Sequence, residues 1–67
     1  MDSEIVLIRN SDGYRVLFGH LRLSTILMMS SEAQVNVKGE RESVKVVRTA
    51  KGLYVLRNNE RVPLLKN

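Results

Sequence analysis

The sequence predicts an all-β or mostly β fold, a small antiparallel barrel or sandwich of five to six short strands, with one short helix within 21–31 as an open alternative. Three features carry this expectation. β-branched runs recur at roughly ten-residue spacing. The segments between them hold turn formers, namely Asp12-Gly13, Gly39, Gly52 and Asn58-Asn59. A chain of 67 residues that is 43% hydrophobic with one Pro has the composition of a folded protein and the length of one small domain, 1–67.

Glu4 to Ile8 is short and largely β-branched, and Tyr14 to Phe18 repeats the pattern after Asn10-Ser11-Asp12-Gly13. Asp-Gly between two such runs marks a hairpin, because Gly takes φ > 0 at no steric cost. Strands are therefore expected at 4–9 and 14–19. The next stretch is ambiguous. Leu21, Leu23, Ile26, Leu27, Met28 and Met29 suit the buried side of a helix with Ser24 as N-cap, whereas the alternation Leu21, Leu23, Thr25 leans towards a strand. Gln34 to Lys38 alternates cleanly and ends at Gly39. From Ser43 onward, Val44, Val46 and Val47, then Leu53 to Arg57, then Glu60 to Leu65 predict a three-stranded meander with Leu53 to Arg57 in the middle. Asn58-Asn59 reverses the chain, and Pro63, which cannot donate to a ladder, confines its strand to an edge.

A domain this small buries only about 60% of its unfolded surface and nets about 3–5 kcal/mol of stability. Without Cys and with one His, disulfides are impossible and neither a metal site nor a cofactor is expected. Self-association is the remaining supplement.

The net charge of +4 is uneven. Met1 to Val37 carries Arg9, Arg15 and Arg22 against Asp2, Glu4, Asp12 and Glu32, whereas Lys38 to Asn67 carries eight basic residues against Glu40, Glu42 and Glu60. A positive field of this kind favours a polyanion. The lead expectation is a small regulatory protein binding nucleic acid, RNA or DNA, through its basic C-terminal half, with Lys45, Arg48, Lys51, Arg57 and Arg61 as phosphate contacts. Tyr14, Phe18 and Tyr54 are the only aromatics; with Phe18 assigned to the core, two tyrosines remain as stacking platforms. The competing expectation is a protein-interaction adaptor or homo-oligomer. Ile26-Leu27-Met28-Met29 is more apolar than one small core needs, which makes Ile26, Met28 and Met29 interface candidates, with an exposed strand edge as the other route.

Catalysis is not expected. His20 is the lone imidazole, Glu40 and Glu42 lie on a turn open to water, and the glycines form no phosphate-cradling loop. No run of 18 apolar residues and no basic-then-apolar leader occurs, so cytoplasmic residence away from membranes is expected.

Two stretches are similar to known families. Ser3-Glu-Ile-Val-Leu-Ile-Arg9 with Asp12-Gly13 and Val35-Asn-Val-Lys-Gly39 resembles the tryptophan-sensing RNA-binding attenuation proteins, which are rings of small β-subunits. The match needs a long deletion between its two blocks, and Asn36 stands where that family's RNA-binding motif carries a basic residue, so its contacts do not carry over. Val44 to Leu56 is similar in pattern to the short hemin-uptake regulators. Both resemblances imply a β-rich, regulatory, non-catalytic protein.

Overall fold

The β-branched runs do form strands, and the Leu- and Met-rich run between them forms a helix. The computed structural model describes residues 4–65; Asp2, Ser3 and Lys66, which enter the readings above, lie outside them. The elements are β1 (Val6–Asn10), β2 (Gly13–Phe18), α1 (His20–Met29), β3 (Glu32–Val37), β4 (Ser43–Thr49), β5 (Gly52–Arg57) and β6 (Glu60–Pro63).

The six strands make one sheet in the order β2-β1-β3-β4-β5-β6. Neighbours are antiparallel except β1 and β3, which run parallel with Val6 opposite Asn36 and Leu7 opposite Val37. The expected mostly β fold is present, and its antiparallel pairing fails only between β1 and β3, because α1 carries the chain back along the sheet before β3 begins. A sandwich is excluded as well. The sheet curls into a half-barrel, and its two outer strands touch where Tyr14 bridges Leu64 and the Leu65 N–H donates to the Tyr14 carbonyl at 2.7 Å.

Alternation sorts the side chains. Leu7, Tyr14, Ala33, Val35, Val37, Val44, Val46 and Val55 point into the curl, and Leu23 and Leu27 of α1 join them. The meander of β4, β5 and β6 is as the sequence implied. Its last turn is Asn58-Asn59, both at positive φ (50° and 67°), the geometry that suits a two-residue hairpin. Counting from the hydrogen-bonded pair Arg57 and Glu60, Pro63 falls opposite Tyr54 at a position where neither residue donates to the other, so its missing N–H costs the ladder nothing.

Residues 20–29 are helix and not strand. Leu and Met, neither branched at Cβ, favour a helix, and Leu23 and Leu27, spaced i and i+4, place one face against the core. Ser24 is not the N-cap. Gly19 holds that position at φ 83° with no side-chain cap. A Cβ there would lie 2.6 Å from the Glu4 carbonyl oxygen and 2.8 Å from Ile5 Cα, so the turn out of β2 needs glycine for both its angle and its space.

Gly13 also differs from expectation. The hairpin turn is Ser11-Asp12, and Gly13 is the first residue of β2, buried and at φ 147°. A Cβ on it would run into the Pro63 carbonyl. The glycine permits the close approach of β2 and β6 that closes the curl. Two aromatics exchange roles: Phe18, expected in the core, is 62% exposed, and Tyr14, expected as a stacking platform, is 1% exposed.

Candidate interaction surface at the helix end

A surface helix normally turns an apolar stripe inward and a polar face outward. Helix α1 does not. With Leu23 and Leu27 facing the core, a rotation of 100° per residue carries Leu21, Met28 and Met29 to the far side, where they are 81%, 80% and 86% exposed. Thr25, whose hydroxyl donates to the Leu21 carbonyl at 3.0 Å, lies between them on that face. Ile26 is half-buried and packs against the core cluster. Of the three interface candidates, therefore, Met28 and Met29 stand in the open and Ile26 does not.

The last turn of α1 is tied to the sheet by a cation. The Arg48 Nε donates to the Leu27 carbonyl at 2.6 Å, satisfying one of the carbonyls that a helix C-terminus leaves without an intrahelical partner. Next to it, Ser24, Leu27, Met28, Arg48 and Leu53 line a cavity of about 380 Å³. Leu53 also lines a larger cavity of about 780 Å³, with Val16, Leu64 and Leu65 as its other apolar walls and His20 and Lys51 as its titratable groups. The two cavities meet at Leu53, and among the described residues no Asp or Glu lines either one.

The five basic candidates do not form one patch. Arg48 and Lys51 sit at the helix end. Arg57 is half-buried at the opposite end, beside the β5-β6 turn. Lys45 and Arg61 lie on the outer face, in line across the sheet with Leu56 between them. Lys45 pairs with Glu32 at 3.4 Å, and the Arg61 guanidinium stacks over Tyr54 at 4.9 Å from the ring centroid.

Arg9 was not singled out by the sequence. It sits at the turn end, where its Nη2 donates to the Tyr14 hydroxyl at 3.3 Å and its Nε lies 3.4 Å from Glu40 Oε2. The hydrogen bond to Tyr14, aided by the charge of Glu40, holds its pKa above the ordinary arginine value. Leu21 and Leu53 were also missed. Leu21 stands seven residues before Met28 and shares its face once the segment is helical, whereas no local signal marks Leu53 as open.

Among the described residues no group of His, Asp and Glu is placed to hold a metal ion, and none of their helices is long and apolar enough to cross a membrane. No family model, curated protein or solved structure matches the chain.

Proposed function

We propose that this is a non-catalytic protein-interaction domain whose helix end receives a partner segment bearing both apolar and acidic side chains. The observation that supports it is the pair of cavities joined at Leu53, apolar within, edged by Arg48, Lys51 and His20, and lined by no Asp or Glu among the described residues. The bare Leu21, Met28 and Met29 extend the same apolar ground along α1. Contiguous apolar surface on a small protein marks an interaction site, and Met suits one because its unbranched thioether adapts to the partner's shape. Among the described residues lining it, a carboxylate brought to this rim meets the cations Arg48 and Lys51 and no acid.

The test titrates two labelled peptides of about ten residues, the length of a long strand. One alternates Val with Glu and the other Val with Lys, and binding is followed by fluorescence anisotropy. The Val/Glu peptide should bind, the Val/Lys peptide should not, and Leu53→Glu, at the residue both cavities share, should abolish binding while the protein keeps its native circular dichroism. Equal binding of both peptides, or of neither, overturns the proposal. So does a dimer of the wild-type chain, detected by light scattering, that Met28→Glu converts to monomer, since a second copy would then own the surface.

One observation favours nucleic acid as a second reading. Arg61 over Tyr54, with Lys45 in the same cross-strand row, is a cationic and aromatic face of the kind that tracks a phosphate backbone. Under this reading Lys45→Ala with Arg61→Ala weakens binding of single-stranded RNA or DNA and flattens its salt dependence, and unchanged affinity refutes it. Arg48 is the wrong probe for this purpose, because its removal also releases the Leu27 carbonyl.

A further inference from the structure

We infer that the partner segment binds as an added strand in the seam between β2 and β5, an inference that rests on the protein-interaction reading above.

The seam follows from the topology. The curl is closed at the Tyr14–Leu64 bridge, and β6 ends its pairing at Pro63 opposite Tyr54. Towards the helix end, among the described residues, no strand pairs with β2 on the side away from β1, and none pairs with Gly52 and Leu53 on the side away from β4. Two edges face each other across a cavity of about 780 Å³, within the range that holds a specific ligand.

Both edges present hydrogen-bonding groups to that gap. The Tyr14 carbonyl points into the seam, because it accepts the Leu65 N–H. Val16, two residues along the same strand, turns its N–H and carbonyl the same way. On the other side, Thr49 and Gly52 are the hydrogen-bonded pair that closes a two-residue loop, so Leu53, one residue further, turns its groups away from β4 and into the seam. An incoming extended chain finds the backbone N–H and carbonyl of one residue on each flank, Val16 and Leu53, and its alternate side chains enter an apolar space walled by Val16, Leu53, Leu64 and Leu65.

Charge and edge chemistry choose the occupant. Lys51 and His20 edge the seam and Arg48 lies beyond Leu53, with no Asp or Glu in the lining among the described residues, so acidic residues flank the apolar ones in a fitting segment. A second copy pairing through its own β2 would bring Arg15 and no acid (Gly13–Phe18 is GYRVLF), placing cation against cation. A phosphate backbone has nothing to gain from an apolar trough.

The test uses the Val/Glu peptide in three forms: unmodified, and N-methylated at every second residue in one register or the other. N-methylation removes a donor without changing the side chains. A strand loses affinity when the donors of the paired register are blocked and keeps it when the others are, and losing even one or two hydrogen bonds is worth about tenfold. Amide exchange at Val16 and Leu53 should slow when the unmodified peptide binds. If the peptide binds, both N-methylated forms bind equally and protection appears only at Leu21, Met28 and Met29, strand addition is wrong although the protein-interaction reading stands. If the unmodified peptide does not bind, that reading and the inference fall together.

Discussion

Adding one methyl group at Gly13 tests how the half-barrel closes. Gly13→Ala places a Cβ against the Pro63 carbonyl at a backbone angle of φ 147° that L side chains rarely adopt. The angle alone costs about 1–3 kcal/mol. The contact adds to it, because the obstacle is backbone and β6 must move away. That movement breaks the Leu65-to-Tyr14 hydrogen bond, worth about 1 kcal/mol. The expected loss is roughly 2–4 kcal/mol out of about 3–5, which lowers the melting temperature by roughly 10–25 °C at this size. Gly39→Ala is the matched control, since Gly39 also has positive φ (79°) but nothing within 4 Å of its missing Cβ. It should cost about 1–2 kcal/mol from the angle alone. Urea unfolding followed by far-ultraviolet circular dichroism measures both variants. If Gly13→Ala is no less stable than Gly39→Ala, the closure does not depend on the Gly13–Pro63 approach and the reasoning fails.

Two further outcomes follow from the same contacts. Arg48→Ala should cost about 1 kcal/mol and speed amide exchange in the last turn of α1, because the Leu27 carbonyl loses its cationic donor; unchanged exchange there would show that the bond does not hold the helix end. Tyr14→Phe should destabilise by the same amount at pH 6 and pH 9. The Arg9 pKa is raised in the folded state, first by the Tyr14 hydrogen bond, so its contribution is fully present below the unfolded arginine value and is lost only as pH rises through the folded one, far above that window. A loss that differs between the two pH values would place another titrating group in this contact.

The parts of the fold legible in the sequence are those fixed by local chemistry. The clean alternation of β3 and β4 sends Val35, Val37, Val44 and Val46 inward, and the Asn58-Asn59 pair has few uses other than a tight hairpin. Residues 20–29 resisted because Leu and Met on every side of the helix remove the periodicity that separates helix from strand. That ambiguity and the bare surface share one cause, since the outward Leu21, Met28 and Met29 blur the pattern. Phe18 and Tyr14 were misjudged for a different reason. Their burial depends on which strand end lies beneath the bridge to Leu64, a contact spanning fifty residues.

The charge asymmetry of the sequence does not survive as one charged surface, and the meander explains why. β4 and β5 run in opposite directions, so cations close in sequence part in space. Arg48 lies opposite Leu53 and Arg57 ends the same strand, and four residues of strand put roughly 13 Å between those levels. That exceeds the screening length of about 8 Å at physiological salt. Each end therefore acts on its own surroundings. At the helix end the neighbours of Arg48 and Lys51 are apolar walls, and under the protein-interaction reading proposed above the cations there would select which hydrophobic segment enters. At the other end Arg57 and Arg61 share a cavity with Asp12 and Glu60, so the field they offer a polyanion is partly cancelled. On the protein-interaction reading, the surplus of positive charge thus has its clearest use at the helix end, because among the described residues lining that surface an arriving carboxylate finds no acidic competitor.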